Sequence, residues 1–231
     1  MPRPPIQFVA NPRHWKAMVA PVRLEVIEAM RMIAPCSIAE IAAALDRSSD
    51  TLYRHIEKLR AAGAIVVAGS RKSGRRVEQV YDLVADDFRV GFKGTTPRAA
   101  NKAYDDTLQS ILKIASRTAR DSAAACQLVG TGDERNLVGK IEHAWLTHAE
   151  FVALRDILMR AKEFMDKRKG SREGRLYLAA FLAVPVTRKR GARSRRGAAG
   201  ASVPAKTTAV PARGKRAANR TRPAAGSRVR A

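Results

Sequence analysis

Residues 37–84 constrain the fold more than any other stretch: two short helical patterns precede two strand patterns around a basic, glycine-bearing tip. Ile38, Ile41, Ala42 and Leu45 recur at helical spacing, and so do Leu52, Ile56 and Leu59. Between them lies Asp46-Arg47-Ser48, a polar turn in which Ser48 is suited to cap the second helix. Gly63 stops that helix, and Ile65-Val66-Val67 and then Val77, Val80, Tyr81 and Leu83 read as strands. The tip between the strands, Arg71-Lys72-Ser73-Gly74-Arg75-Arg76, carries four cations. Two helices joined by so short a turn form a helix-turn-helix, and the basic hairpin behind it is a wing. The second helix of such a motif lies in the major groove of duplex DNA.

The period of that second helix sorts its residues. Leu52, Ile56 and Leu59 face inward, which leaves Ser49, Asp50, Tyr53, Arg54, Glu57 and Lys58 for the outer surface. Ser48, Ser49, Asp50, Thr51, Tyr53 and Arg54 lie on the turns that lead into a groove, and Lys58 follows them on the same exposed side. Arg54 suits bidentate hydrogen bonding to guanine, and Tyr53 a thymine methyl or a phosphate. Asp50 suits either a cytosine amino group or the positive end of the helix dipole. Arg71, Lys72, Arg75 and Arg76 on the wing suit phosphate or minor-groove contacts, which add affinity rather than base specificity. A Tyr-Arg-x-x-x-Lys face is also what a plain solvated helix shows. The short turn, the cap, the glycine stop and the basic hairpin together point to DNA. His55, beside the apolar stripe, fits a packed scaffold residue better than a base reader.

Residues 13–33 supply two scaffold helices. Pro21 is tolerated in a first helical turn, and Val22, Val26, Met30 and Ile33 form a stripe that Leu24 and Ile27 broaden before Pro35 ends it. Pro21-Val22-Arg23-Leu24, then Ile38-Ala39-Glu40-Ile41-Ala42, then Thr51 through Gly63 with its Arg54-His55-Ile56 and Leu59-Arg60-Ala61-Ala62-Gly63 runs resemble the ArsR-type winged-helix transcriptional regulators. The resemblance covers roughly residues 12–84. It implies a dimeric regulator whose second motif helix reads bases and whose wing grips phosphates. The Cys-x-Cys pair of the metal-sensing members has no counterpart here, so metal sensing is not implied.

The formal charge of +23 is unevenly placed. Residues 188–231 contain fourteen Lys or Arg and no acid, whereas residues 1–187 have a net charge of +9. That tail has scarcely a large apolar residue, buries too little surface to offset chain entropy, and is expected to be disordered. A polycation of this kind binds a polyanion through counterion release without reading sequence. No apolar run approaches the ~20 residues of a membrane span, and MPRPPIQF lacks the apolar core of a signal peptide. Cys36 and Cys126 are far apart and without metal-ligand spacing, which fits a reducing cytoplasm.

Thr96-Pro97 opens a long helix to about residue 125, in which Tyr104, Leu108, Ile111, Ala115, Thr118 and Ser122 form a heptad seam. The seam suits pairing with a second copy or docking on its own domain. Leu137 to Leu146 reads as a strand, Thr147-x-x-Glu150 as a capping box opening a helix through Met165, and Leu176 to Val186 as an apolar strand. This small α+β unit suits a ligand pocket for a small-molecule effector, a dimerisation surface or a structural cap. Nucleotide-binding glycine patterns, a nucleophile elbow and Cys/His clusters are all missing; His143 and His148 lie near Glu142 and Glu150 but on different elements.

The expected fold is mostly α with small β elements: a winged helix-turn-helix DNA-binding domain (12–92), a long helix (96–126), a small α+β module (136–187) and a disordered basic tail (188–231). The expected function is a sequence-specific, homodimeric DNA-binding regulator of the cytoplasm and nucleoid, with no enzymatic activity, metal or cofactor. The rival readings are an architectural nucleoid protein of little specificity and a winged helix that docks protein. The cationic hairpin argues against the last.

Overall fold

A computed structural model describes residues 3–74, 76–91, 96–171 and 173–186. The elements run β1 (Ile6–Val9), α1 (Pro12–Met18), α2 (Pro21–Ile33), β2 (Cys36–Ser37), α3 (Ile38–Ala44), α4 (Ser49–Ala61), β3 (Ile65–Ser73), β4 (Arg76–Leu83), β5 (Asp87–Val90), α5 (Pro97–Ala124) and α6 (His148–Asp166). The fold is mostly helical with two small sheets. One sheet has the order β2-β4-β3, all antiparallel, and the other pairs β1 with β5 in parallel.

The core lies under α4. Leu52, Ile56 and Leu59 are fully buried together with Val26, Met30, Ile41, Ile65 and Leu83, so α4 packs on α1, α2, α3 and β3 through the stripe that its period requires. Each such side chain contributes on the order of 1.5–3 kcal/mol by leaving water. Gly63 terminates α4 at φ +72°. Its N–H donates to the Arg60 carbonyl and the Ala64 N–H to the Leu59 carbonyl, each at 3.0 Å. This double closure turns the chain straight into β3. Ser37 caps α3 reciprocally with Glu40: the Ser37 N–H donates to the carboxylate at 2.8 Å and the Glu40 N–H to the Ser37 hydroxyl at 3.3 Å.

Thr96 caps α5 as its sequence suggests, its hydroxyl accepting from the Ala99 N–H at 3.3 Å. The helix is 28 residues long, about 42 Å. It lies on its own domain, through Ala100, Ala103, Thr107 and Ser110 rather than the heptad seam beside them. Trp15 Nε1 on α1 donates to Thr107 Oγ1 at 3.0 Å and to the Ala103 carbonyl at 3.3 Å. Further along, Arg117 pairs with Glu25 of α2. Leu108 and Ile111 of the seam are left half-exposed.

Three sequence expectations are corrected. The end of the expected winged-helix domain, past residue 86, carries a further strand, β5, whose partner β1 precedes the expected domain start at residue 12. A parallel pair of four residues each leaves too short a pattern to register. The strands expected over 137–146 and 176–186 do not form; both stretches lack regular secondary structure. A strand must pass its N–H and C=O groups to a neighbour, and among the described residues neither stretch is paired with one. Of the expected α+β module only α6 is present, its capping box closed by Thr147 N–H to Glu150 Oε2 at 2.7 Å. The basic tail lies outside the described residues.

The two cysteines differ sharply. Cys36 is buried on β2, and desolvation, with Glu40 and Asp82 nearby, pushes its thiol up to about 12. Cys126, just past α5, is exposed. Native protein treated with iodoacetamide should therefore carry one modification, on Cys126, and Cys36 should react only after unfolding. Modification of Cys36 in the folded chain, read by peptide mass spectrometry, would contradict this burial.

Candidate nucleic-acid interface

Because Leu52, Ile56 and Leu59 point inward, Asp50, Thr51, Tyr53, Arg54 and Lys58 stand exposed on the opposite side of α4, with Ser48 exposed before it and Ser49 half-exposed. All seven recognition residues expected from the sequence thus lie on or beside the outer face. Ser48 occupies the N-cap position with extended backbone (φ −73°, ψ 141°), yet its side chain makes no capping hydrogen bond. Instead the Ser48 carbonyl accepts from the Thr51 hydroxyl at 2.8 Å. The first turn of α4 therefore keeps N–H groups directed outward, where an anion is favoured. Glu57, one of two acids on this face with Asp50, is paired with Arg60 at 2.9 Å.

The wing is built by β3 and β4, in register from Ile65↔Leu83 to Ser73↔Arg76, with an irregularity between Val67 and Gly69. Gly74 turns the tip at φ +60°. Lys72 is exposed. Arg71 reaches back to Glu40 at the start of α3, 2.5 Å away. This hydrogen bond, joined by the Ser37 N–H, holds the Glu40 carboxyl below the usual range. Arg71 is therefore a strut between wing and motif as well as a surface cation. Arg75 lies outside the described residues, as does the Arg76 side chain.

Cations converge on α4 from elements that no local sequence pattern marks. His55 is half-exposed, and Arg23, Lys58, Arg47 and Arg54 all raise the local potential around it. Arg47, in the turn, is held by Glu25 at 3.0 Å; Glu25 also pairs with Arg117, so one carboxylate ties α2, the turn and α5 together. The Arg23 guanidinium donates to the Ala17 carbonyl at the end of α1. Beside the C-terminal half of α4 a cavity of about 730 Å³ is lined by Arg13, Lys16, Arg23 and Lys58 against a single acid, Asp106. The signal that could have revealed Arg13 and Lys16 is tertiary, since it exists only once α1 lies against α4.

The geometry is that of two short helices, a tight turn and a basic hairpin, with the second helix presenting its polar face outward. Residues 18–68 match a protein family described as a helix-turn-helix domain. The match runs from the end of α1 through α2, α3 and α4 into β3, which are the elements that build the exposed face. A helix-turn-helix domain supports DNA as a partner and regulation as the role. A search of curated proteins finds no match to the chain. Among the described residues no cluster of His, Cys, Asp and Glu is arranged to hold a metal ion, and no helix is long and apolar enough to cross a membrane.

The surroundings of His55 make a pH prediction. Desolvation first, then repulsion from the four cations, lowers its pKa below the ordinary histidine value. The unfolded chain then binds the extra proton more readily than the folded one. The stability contributed by neutral His55 is complete above about pH 6.5 and is lost as pH falls through the folded-state value. Denaturation between pH 7.5 and 5.5 should show the unmodified chain losing more stability than His55→Gln. Parallel pH profiles for the two proteins would contradict the assignment.

Proposed function

We propose that the chain is a homodimeric, sequence-specific transcriptional regulator of ArsR-like winged-helix type, acting on duplex DNA in the cytoplasm and nucleoid. The observation that carries this reading is the outer face of α4, where Ser48, Asp50, Thr51, Tyr53, Arg54 and Lys58 stand clear of a helix whose apolar side is wholly buried. With α4 in the major groove, Arg54 donates two hydrogen bonds to guanine O6 and N7, and Tyr53 packs on a thymine methyl or a phosphate. Ser48, Ser49, Thr51 and the outward N–H groups of the first turn hold a phosphate. Lys72 and the neighbouring wing cations take the flanking backbone or minor groove, with Arg71 bracing the hairpin from Glu40. Arg13, Lys16 and Arg23 continue the positive surface onto α1 and α2. The reaction-free chemistry of such a site requires no cofactor, and a small-molecule effector is the regulatory ligand this reading allows for, the Cys-x-Cys pair of the metal-sensing members having no counterpart here.

Charge favours one other reading. Fourteen cations in residues 188–231 without an acid supply a sequence-blind attraction large enough for an architectural protein. The two readings separate in one titration, against a selected high-affinity duplex and a scrambled one at several salt concentrations. For a regulator, deleting residues 188–231 flattens the slope of log affinity against log salt but leaves the preference for the selected duplex. Arg54→Ala does the reverse: it relaxes the preference at one base pair by about 1–3 kcal/mol and leaves the slope nearly unchanged. Equal losses on both duplexes for Arg54→Ala would reduce Arg54 to a backbone contact. Loss of all binding on tail deletion would favour the architectural reading.

A further inference from the structure

Residues 128–184 hold sixteen exposed large hydrophobic side chains, Trp145 set aside, against seven across residues 3–127. Ile141 is 88% exposed, Val138 83%, Leu176 77% and Phe164 63%. Helix α6 buries none of its residues. Soluble monomers rarely expose apolar patches beyond a few hundred Å², yet this segment leaves on the order of 1,000 Å² uncovered per chain. That is the contribution of one partner to a stable, mostly apolar interface.

What covers it follows from charge and pattern. Between 128 and 184 there are ten basic and eight acidic residues, a nearly neutral mixture between two strongly basic regions. A surface for nucleic acid would carry one sign. The remaining sequence cannot cover it either, since residues 188–231 contain only Val203, Val210 and Val229 as large apolar residues. Interspersed signs such as Glu150, Arg155, Asp156 and Arg160 along α6 suit a surface that meets itself, because each copy brings both partners of every pair. Segments 137–146 and 176–184 also carry strand patterns without a strand partner among the described residues. A second copy brings the same two segments, and strands joined across a two-fold axis give each an edge to pair with.

We propose that residues 128–184 form the interface with a second copy of this chain, in which segments 137–146 and 176–184 become paired strands. The inference rests on the homodimeric part of the proposed function and is independent of DNA binding, since oligomeric state is measured without DNA. In light scattering and sedimentation the full-length chain should have twice the chain mass. Phe164→Glu with Leu178→Glu, both outside the winged-helix core, should yield monomers with an unchanged thermal transition for the core. Leu108→Lys with Ile111→Lys on α5 should remain dimeric. Loss of the dimer in the glutamate variant, against its retention in the α5 variant, separates the interface from the dimer itself. Should the glutamate variant fail to fold, hydrogen exchange on the unmodified chain gives a second readout. Amides of 137–146 and 176–184 should be protected at concentrations where the dimer prevails and exchange at least tenfold faster on dilution to monomer. An unmodified chain that is monomeric at every concentration overturns the proposal and assigns the face to a different protein. A folded glutamate variant that stays dimeric, or exchange unaffected by dilution, overturns it as well.

Discussion

The burial of Leu52, Ile56 and Leu59 is the constraint on which the rest of the interface depends. These side chains sit on one line of α4, and losing them from the core would cost several kcal/mol apiece. The helix therefore has one rotational setting about its own axis. That setting, and nothing local to the polar residues, aims Tyr53, Arg54 and Lys58 outward. Gly63 then fixes where the helix ends and β3 begins, so the wing departs at a set distance from the recognition face. Substituting Gly63 would strain a left-handed backbone and disturb the wing and the helix end together.

Electrostatics refines this frame rather than creating it. Two acids do disproportionate positioning: Glu25 gathers Arg47 and Arg117, and Glu40 gathers Arg71 while capping α3. The Arg71–Glu40 pair, exposed on both sides, adds little stability by itself. The consequence of both acids is geometric. They hold cations at the turn and at the wing base, while among the described residues Arg54, Lys58 and Lys72 have no acid paired with them and stand exposed on the side from which a polyanion would approach. His55 lies among the same cations, whose repulsion adds to desolvation in lowering its pKa.

Local signals in the sequence carried well wherever one element decides its own form. The apolar periods of α2, α3 and α4, the glycine stop at residue 63, the Thr96-Pro97 start of α5 and the Thr147–Glu150 capping box all appear where the pattern puts them. The exposure of Ser48, Asp50, Thr51, Tyr53, Arg54 and Lys58 followed because it is the complement of the buried stripe. What the pattern could not convey depends on partners distant in sequence. The pairing of β1 with β5 joins residues some eighty positions apart, and the Arg71–Glu40 strut and the Arg13–Lys16–Arg23 flank exist only after packing. The strand patterns at 137–146 and 176–186 misled for the same reason, since an apolar period states what a segment can do and not whether a neighbour is at hand.

The central claim is that this outer face of α4 reads base sequence. Selection of bound duplexes from a random library by the full-length protein, at physiological salt, tests it most directly. The account predicts enrichment of one motif with two-fold symmetry, its half-sites about one helical turn apart, as two copies of α4 require. A bound pool as diverse as the starting library would contradict it.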